Sequence, residues 1–334
     1  MTDRLADGYD LVIFDLDGVV YLIDKPIPGA VDAVERLRAA GTPVAYATNN
    51  ASRRAADVAA LLTGMGVPAA PGEVLTSAGA SAAVLAEKLP AGAPVLVVGA
   101  DALRDEVRDA GLTPVAAVDE QPVAVVQGYG PEVGWRILAE AALAVRAGAT
   151  WVATNTDRTL PSPRGPLPGN GSLVAVLRTA LDRDPDLVVG KPEPGLFMTA
   201  AAQSGSRRPL AVGDRLDTDI QGAVTAGIDS LLVLTGVSGP AEFLAAPPNR
   251  RPTFLGADLS ALFQPAEEAR VPLAAAGAGG WQLDRDGDTA TLSGAGDPVT
   301  ALRLLCSATW DGVPLTGVRS ASLEATARLD GWGL

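Results

Sequence analysis

Short apolar runs alternate with segments of helical periodicity along most of this 334-residue chain, up to about residue 236. The series opens with the apolar run "LVIF", continues with the helix-like "PGAVDAVERLRAAG" and returns to an apolar run in "PVAYATNN". Such runs predict strands buried on both faces, and the segments between them supply the helical crossovers that parallel strands require. The alternation therefore predicts an α/β fold built on a doubly wound parallel sheet.

The length of the chain is sufficient for two or three folded units, each with its own core. A second series of strand and helix segments begins near residue 77, and a third begins near residue 186. Proline, alanine and glycine become frequent between about 237 and 280, which predicts a loose connection with one or two short elements. Residues 281–334 contain a strand pair around the turn "DRDGD" and the helical "PVTALRLLCSATW", which predicts a small C-terminal α+β appendage.

The charge balance limits the possible partners. Thirty-nine acidic and 26 basic residues give a formal net charge of −13, which repels phosphate backbones and anionic lipid headgroups. We therefore expect no nucleic-acid partner and no membrane partner. No apolar run approaches the length of a membrane span, and the N-terminus reaches a strand with carboxylates too soon for a signal peptide, so a cytoplasmic location is expected.

The chain contains no histidine and a single cysteine. The first fact excludes Ser-His-Asp and Cys-His catalysis together with histidine-ligated metal sites. The second excludes an internal disulfide, and the apolar neighbours of Cys306 favour a core residue over a nucleophile. Chemistry in this chain must therefore use carboxylates, lysine and hydroxyl groups. These residues are compatible with a hard cation such as Mg²⁺, which prefers oxygen ligands.

Polar side chains follow four of the predicted strands. In a doubly wound sheet, the carboxyl ends of the strands face a shared crevice in which ligands bind. The residues at these ends are Asp15 and Asp17, Thr48 with Asn49 and Asn50, Lys191, and Asp214 with Asp217 and Asp219. Turns and helix caps would explain each group taken singly. Together, however, several carboxylates in one crevice repel one another unless positive charge compensates them, so the set favours a functional site.

The order of these motifs resembles the haloacid dehalogenase (HAD) superfamily of phosphohydrolases. The patterns D-x-D-G, T-N-N, G-K-P and G-D-x-x-x-T-D-I occur in that order between Asp15 and Ile220. The long insertion before the third pattern is similar to the branch with a large α/β cap, the NagD and 4-nitrophenylphosphatase-like enzymes. The resemblance implies the following division: a Rossmann-like catalytic core at residues 1–78 and 184–262, an inserted cap at 79–183, a linker at 263–280 and an accessory region at 281–334.

The same resemblance implies Mg²⁺-dependent hydrolysis of a phosphate monoester. Asp15 would attack phosphorus and form an aspartyl-phosphate, while Asp17 would serve first as general acid and then as general base. The metal would be held by Asp15, by the backbone carbonyl of Asp17, by Asp214 and by Asp219, the last directly or through water. The phosphate would be bound by Thr48, Asn49 and Lys191. Asp217 matches no role in the family and is expected to be a solvated loop carboxylate.

The implied cap would select the leaving group. Its segment "ATNTDRTLPSPRG" contains Asn155, Asp157 and Arg158, which are suited to binding a small hydroxylated substrate. A small phosphorylated metabolite is expected, and the likeness to capped phosphatases of this length favours glycerol 3-phosphate. Phosphoglycolate, a nucleotide or another sugar phosphate are alternatives. A phosphotransferase or mutase stays open, whereas a phosphoacceptor receiver domain would lack both the cap and Asp17. Whether the chain forms a homo-oligomer also stays open.

The accessory region resembles a fragment of an acetyltransferase-like fold. In its "TLSGAG", Thr291 stands where the acetyl-CoA loop of that fold has a basic or amide residue. We therefore expect a structural or regulatory role for residues 281–334, and no binding of coenzyme A.

Overall fold

The computed structural model describes residues 4–334, and every structural statement below refers to that part of the chain. Within it lie nineteen strands and twelve α-helices, numbered here in chain order. The strands are β1 Leu11–Phe14, β2 Tyr21–Leu22, β3 Lys25–Pro26, β4 Val44–Thr48, β5 Val74–Thr76, β6 Pro94–Val98, β7 Thr113–Val115, β8 Ala124–Gln127, β9 Thr150–Ala153, β10 Thr159–Leu160, β11 Leu167–Pro168, β12 Leu187–Val188, β13 Pro209–Gly213, β14 Asp229–Val233, β15 Phe254–Gly256, β16 Gly277–Ala278, β17 Trp281–Asp286, β18 Thr289–Gly294 and β19 Val318–Ser320. The α-helices are α1 Ala30–Ala39, α2 Ala55–Gly64, α3 Ser77–Lys88, α4 Asp101–Asp109, α5 Trp135–Arg146, α6 Asn170–Leu181, α7 Gly195–Ser204, α8 Gln221–Ala226, α9 Pro240–Leu244, α10 Ala266–Ala269, α11 Pro298–Thr309 and α12 Leu323–Trp332.

The chain folds into two compact units. The first is formed by the chain up to Tyr21, by Ile27–Val44 and by Ser204–Leu334. The second is formed by Leu22–Pro26 and Ala45–Gln203. Parallel strands and helices make up the centre of each unit, and the predicted α/β class is confirmed. None of the helices within residues 4–334 has the length and apolar character needed to cross a membrane.

In the first unit, parallel strands lie in the order β15-β14-β13-β1. β1 pairs with β13 from Leu11 opposite Pro209 to Phe14 opposite Val212. All four residues of β1 are buried, as expected for a strand inside a sheet covered on both faces. Because β1 and β13 are parallel, the residues that follow them leave the sheet at the same edge.

The prediction of a loose connection between about 237 and 280 is wrong at β15. Phe254, Leu255 and Gly256 are buried and pair with Leu231, Leu232 and Val233 of β14, so this part of the stretch belongs to the sheet. The strand is three residues long and follows the sequence "PPNRRPT". A run this short carries too little periodicity to indicate a strand.

The C-terminal residues form the predicted strand pair and helix. β17 and β18 make an antiparallel hairpin whose turn contains Gly287 at φ +59°, and β19 pairs with β18 in parallel. α11 packs on the hairpin, and α12 packs on β18 and β19. Their apolar side chains belong to one buried cluster that also contains Leu216, Ile220 and Phe243. Residues 281–334 therefore share a hydrophobic core with other parts of the first unit.

Cys306 lies in this core and is fully buried. Burial raises the pKa of its thiol from 9.0 to about 12. At pH 8 the native thiolate fraction is therefore far below that of the unfolded chain. We predict that a thiol reagent modifies the native protein at least about 100-fold more slowly than the protein in guanidinium chloride. Equal rates in the two solutions would contradict a buried thiol.

The same pKa difference affects stability at high pH. Above about pH 9 the unfolded thiol loses its proton, whereas the buried thiol keeps it until about pH 12. Since the unfolded state then binds fewer protons than the native state, Cys306 lowers the free energy of unfolding progressively as the pH rises above 9.

In the second unit, five parallel strands lie in the order β12-β9-β8-β6-β7. Val95 and Val97 of β6 belong to a core shared with α3 and α4. Leu96 and Val98 belong to another core, shared with α5 and α6. This period of two is that of a strand buried on both faces, and it places helices on both sides of the sheet. β4 and β5 form a further parallel pair in this unit.

The strand before Lys191 belongs to this five-stranded sheet. The sequence predicts that Lys191 follows a strand of the same sheet as Asp15, and that part of the prediction is wrong. β12 pairs instead with β9, with Leu187 opposite Val152 and Val188 opposite Ala153. The backbone N–H of Trp151 donates to the Asp186 carboxylate at 2.8 Å, which fixes this short strand at the edge of the sheet.

Candidate active site

Three of the predicted carboxylates gather in the first unit. Asp15 follows β1, Asp214 follows β13, and Asp219 lies in the π-turn Leu216–Ile220. One carboxylate oxygen of each lies within 4.8 Å of the others. Asp15 is half-buried, while Asp214 and Asp219 are 0% and 2% exposed. The parallel pairing of β1 with β13 explains why Asp15 and Asp214, which are 199 positions apart in the sequence, meet at one edge of the sheet.

Backbone groups close around the carboxylate of Asp214. The N–H of Val237 donates to its Oδ2 at 2.7 Å. A Cβ atom placed on Gly18 would lie 2.5 Å from that oxygen, and a Cβ on Gly236 would lie 1.9 Å from it. Only residues without side chains fit at these two positions, so the sequence allows the chain to approach this carboxylate from two directions.

Asp219 is held in a similar way. The N–H of Arg215 donates to its Oδ2 at 3.1 Å, and a Cβ on Gly213 would lie 2.2 Å from the Asp219 Cβ. Arg215 also forms a two-point ion pair with Asp217, with both N···O distances at 3.1 Å. The Asp217 carboxylate is 40% exposed and lies on the surface of the loop, in line with the expectation that it is solvated.

The three clustered carboxylates fit a divalent cation of the Mg²⁺ type. The three carboxylates repel one another at this separation, and the buried Asp214 and Asp219 also lose their hydration. Both costs fall when a cation binds between the three groups. All three donors are hard oxygen atoms, which Mg²⁺ prefers over nitrogen or sulfur. Asp15, Asp214 and Asp219 are therefore the residues that would hold the metal.

Asp17 lies two residues beyond Asp15, after a sharp change of chain direction. Gly18 has φ +85°, a conformation that disfavours any side chain, and its N–H donates to the Tyr21 carbonyl at 2.8 Å. The hydroxyl of Thr235 donates to the Gly18 carbonyl at 2.6 Å. Within residues 4–334, the Asp17 carboxylate is not a member of the three-carboxylate cluster.

The remaining predicted residues lie in the second unit, where Lys191 and Asn49 are bonded to each other. The Lys191 N–H donates to Asn49 Oδ1 at 2.8 Å, and Asn49 Nδ2 donates to the Lys191 carbonyl at 2.9 Å. Lys191 is 2% exposed, and its Nζ donates to the Ala47 carbonyl at 2.9 Å. A Cβ on Gly190 would lie 2.5 Å from Asn49 Oδ1, so the chain passes directly against this amide. The buried ammonium group is suited to binding an anion.

The loop after β4 is held by its own side chains and by a residue that the sequence did not indicate. Thr48 Oγ1 accepts a hydrogen bond from the N–H of Asn50 at 3.1 Å, and Asn50 Oδ1 accepts one from the N–H of Ser52 at 2.8 Å. The Ser77 hydroxyl donates to the Asn49 carbonyl at 2.5 Å. Ser77 starts α3, where a small polar residue gives no signal beyond that of an ordinary helix start.

The three predicted substrate-binding residues differ in their surroundings. Asn155 is buried, with Nδ2 donating to the Asn49 carbonyl at 2.6 Å and Oδ1 accepting from the Asp157 N–H at 3.1 Å. Asp157 is half-buried and accepts a hydrogen bond from Asn49 Nδ2 at 3.2 Å. The Arg158 side chain is exposed. The structure thus brings Asn155 and Asp157 to Asn49, and the bonds of Asn155 give it a part in holding this loop.

Glycines after β11 fix the backbone on which Asp157 lies. A Cβ on Gly169 would lie 2.5 Å from the Asp157 carbonyl oxygen, and a Cβ on Gly171 would lie 2.1 Å from the Thr156 carbonyl oxygen. The Asn170 side chain donates to the Asn155 carbonyl at 2.7 Å. The segment "PGNGS" therefore leads into α6 and also supports the loop before β10.

Comparison with known proteins assigns the family. Residues 12–113 match the family described as haloacid dehalogenase-like hydrolase, residues 188–262 match the HAD-hydrolase-like family, and residues 278–334 match the GCN5-related N-acetyltransferase like domain. The chain belongs to the haloacid dehalogenase-like hydrolases, and the family predicted from the four motifs is confirmed.

Particular relatives are similar over most of the chain. The D-glycerol 3-phosphate phosphatase of Mycobacterium tuberculosis is 44% identical over 99% of this chain and 96% of its own length. A crystal structure of glycerol phosphate phosphatase from the same organism, in complex with magnesium, has a TM-score of 0.90 at 45% identity and covers 98% of both chains. The 4-nitrophenylphosphatase of Thermotoga maritima has a TM-score of 0.72 at 31% identity and covers 79% of this chain and 99% of its own.

Proposed function

We propose that this chain is an Mg²⁺-dependent phosphatase that hydrolyses glycerol 3-phosphate to glycerol and phosphate. The observation that carries this proposal is the cluster of Asp15, Asp214 and Asp219, a cation site formed around a carboxylate that can act as nucleophile. The similarity to a D-glycerol 3-phosphate phosphatase extends over 99% of the chain and supports the choice of substrate.

Asp15 is the proposed nucleophile. Its carboxylate attacks phosphorus, a bond forms between its oxygen and phosphorus, and the bond from phosphorus to the glycerol oxygen breaks. The phosphoryl group is then carried as an aspartyl-phosphate. Water attacks this phosphorus in the second step, which releases inorganic phosphate and restores Asp15.

Asp17 is the proposed general acid and base. In the first step it gives its proton to the departing glycerol oxygen, and in the second it takes a proton from the attacking water. One carboxylate cannot be both nucleophile and proton donor in the same step, which explains why two aspartates are needed. The turn at Gly18, with φ +85°, sets the direction of the chain just after Asp17.

The negative charge of the substrate must be offset before a carboxylate can attack it. When bound by Asp15, Asp214, Asp219 and the Asp17 carbonyl, Mg²⁺ supplies positive charge that stabilises the phosphoryl oxygens. We assign Thr48, the N–H of Asn49 and the ammonium group of Lys191 to the same phosphate. These groups exchange no proton with the substrate. They orient the phosphate and stabilise its negative charge.

We propose that residues 79–183 form the cap that selects the leaving group, and that residues 1–78 and 184–262 form the catalytic core. Asp157 is suited to accept hydrogen bonds from the hydroxyl groups of glycerol, and Arg158 is exposed in the same loop. A small phosphorylated metabolite in the cytoplasm is the proposed substrate. The formal charge of −13 disfavours nucleic acid and anionic lipid surfaces as partners.

The experiment is a measurement of free phosphate released from a panel of phosphate monoesters by the full-length protein. We expect kcat/KM for glycerol 3-phosphate to exceed that for phosphoglycolate, a nucleoside monophosphate and glucose 6-phosphate by at least about tenfold, because unpaired polar groups penalise the wrong leaving group. Chelation of the metal should remove the activity, and added Mg²⁺ should restore it.

Different outcomes separate the alternatives. Phosphate release that survives chelation would contradict the metal-dependent mechanism, and preference for another monoester would replace the substrate. Accumulation of a phosphorylated acceptor in place of inorganic phosphate would identify a phosphotransferase or mutase.

A further inference from the structure

The C-terminal residues 281–334 share a hydrophobic core with the turn that carries Asp219. Leu216 and Ile220 begin and end this π-turn, and both are buried in the same cluster as Leu302 of α11. Protein cores are closely packed and contain few voids, so a displaced side chain moves its neighbours. The position of the turn therefore depends on side chains from α11.

A second connection runs through residues 235–238, which follow β14. The Val237 N–H donates to Asp214 Oδ2 at 2.7 Å, and the Ser238 N–H donates to the Asp214 carbonyl at 3.0 Å. The Ser238 hydroxyl oxygen accepts a hydrogen bond from the N–H of Leu216 at 3.0 Å. Residues 235–238 thus hold Asp214 by its carboxylate and its backbone together.

α9 follows this segment directly and is fastened to the end of α11. The Phe243 ring is fully buried, and its centroid lies 5.3 Å from that of Trp310 at an interplanar angle of 63°. The Trp310 indole N–H donates to the Phe243 carbonyl at 3.4 Å. The Arg251 guanidinium lies over the Trp310 ring, 4.8 Å from its centroid. Trp310 is therefore the link between α11 and α9.

In the acetyltransferase-like segment "TLSGAG", two glycines pack closely against the backbone of the same region. A Cβ on Gly294 would lie 2.1 Å from the Gly280 carbonyl oxygen, and a Cβ on Gly296 would lie 2.1 Å from that of Gly279. The Asp297 carboxylate accepts hydrogen bonds from the backbone and hydroxyl of Thr300 at the start of α11. A negative cap at this helix start disfavours a pyrophosphate group. Close backbone packing therefore explains why glycines occur at these two positions. This is consistent with a structural role for residues 281–334.

We propose that residues 281–334 position Asp214 for Mg²⁺ binding through Trp310, α9 and residues 235–238. This inference rests on the proposed use of Asp214 as a metal ligand. Trp310 acts as a positioning residue, because its contacts are with Phe243 and Arg251 and its effect on the metal passes through the chain.

The test is calorimetric titration of the metal-free full-length protein with Mg²⁺, without substrate. Trp310→Ala should raise the Kd for Mg²⁺ by about tenfold, the lower end of the effect of groups that orient metal ligands. Trp310→Phe keeps a ring against Phe243 and should restore most of the affinity. In kinetic assays, Trp310→Ala should require more Mg²⁺ for half-maximal rate, while KM for the substrate at saturating Mg²⁺ stays unchanged.

Leu329→Ala is the matched control. Leu329 is buried in the same cluster but lies on α12, which packs on β18 and β19. Its loss should lower the free energy of unfolding while leaving the Kd for Mg²⁺ within about twofold of wild type, because α12 packs on β18 and β19 whereas the proposed connection passes through Trp310 and α9. Where Trp310→Ala does not fold, Trp310→Leu keeps apolar bulk and removes the ring and the N–H.

The outcomes distinguish two failures. A wild-type protein that does not bind Mg²⁺ would overturn the proposed function. If the wild-type protein binds Mg²⁺ and the folded Trp310→Ala or Trp310→Leu variant binds it with the same Kd, only this inference is overturned. Equal weakening of Mg²⁺ binding by Leu329→Ala would also overturn it.

Discussion

Replacing Asp15 with asparagine should abolish phosphate release and lower kcat by at least about 10⁴-fold, within the range found when a catalytic nucleophile is removed. Asparagine has nearly the same shape as aspartate, but its amide is neutral and too weak a nucleophile to attack phosphorus. The backbone N–H of Asp15 donates to the Val212 carbonyl at 2.8 Å, and this bond does not depend on the side chain. The variant should therefore fold normally. Phosphate release at saturating Mg²⁺ and substrate measures the loss.

Asp217→Asn is the matched control for this prediction. It removes a carboxylate from the loop between Asp214 and Asp219, where it pairs with Arg215 and stands outside the cluster described within residues 4–334. Its kcat should stay within about threefold of wild type, as is usual for exposed positions. Substantial turnover by Asp15→Asn, or an equal loss in Asp217→Asn, would contradict the assignment of the nucleophile.

The strands that place the carboxylates can be predicted from sequence, and the shortest strands cannot. β1 and β13 are apolar runs of four and five residues, each followed directly by an aspartate. β12 and β15 have only two and three residues. β12 and β15 become strands because β9 and β14 each present an edge with which they can pair. The sequence of β12 or β15 alone does not show that such an edge is available.

The residues of the candidate site also fall into two groups: those that the sequence indicates and those that only the fold reveals. Charged residues after apolar strands stand out because burying charge is costly without a purpose. Gly236 and Val237 also follow a strand, yet one acts through a missing side chain and the other through a backbone N–H. Asn155 illustrates the opposite case, since its amide bonds to Asn49 and Asp157 and supports the loop. Sequence indicates which groups carry charge, but hydrogen bonding between loops becomes known only from the fold.

Replacing Gly236 with alanine should lower kcat/KM by at least about 100-fold, the cost of misplacing a reacting group by about 1 Å. The new Cβ would lie 1.9 Å from Asp214 Oδ2 and 2.5 Å from its Cγ, far inside van der Waals contact. The carboxylate must move away, and the Val237 N–H bond to the same oxygen moves with it. Since Asp214 is fully buried, little space is available for a harmless shift. Calorimetry should show weaker Mg²⁺ binding alongside the kinetic loss.

Gly239→Ala tests whether this effect comes from the clash. Gly239 lies three residues further along the same loop, has φ −93° and has no heavy atom within 4 Å of a Cβ placed on it. Alanine at this position, the residue before α9, should cost about 1 kcal/mol of stability or less, because it is a poor helix cap. Mg²⁺ affinity and kcat/KM should stay close to wild type. If Gly236→Ala and Gly239→Ala lost Mg²⁺ affinity equally, reduced loop flexibility would explain the loss better than a clash with Asp214. The tight enclosure of the Asp214 carboxylate would then have no functional role.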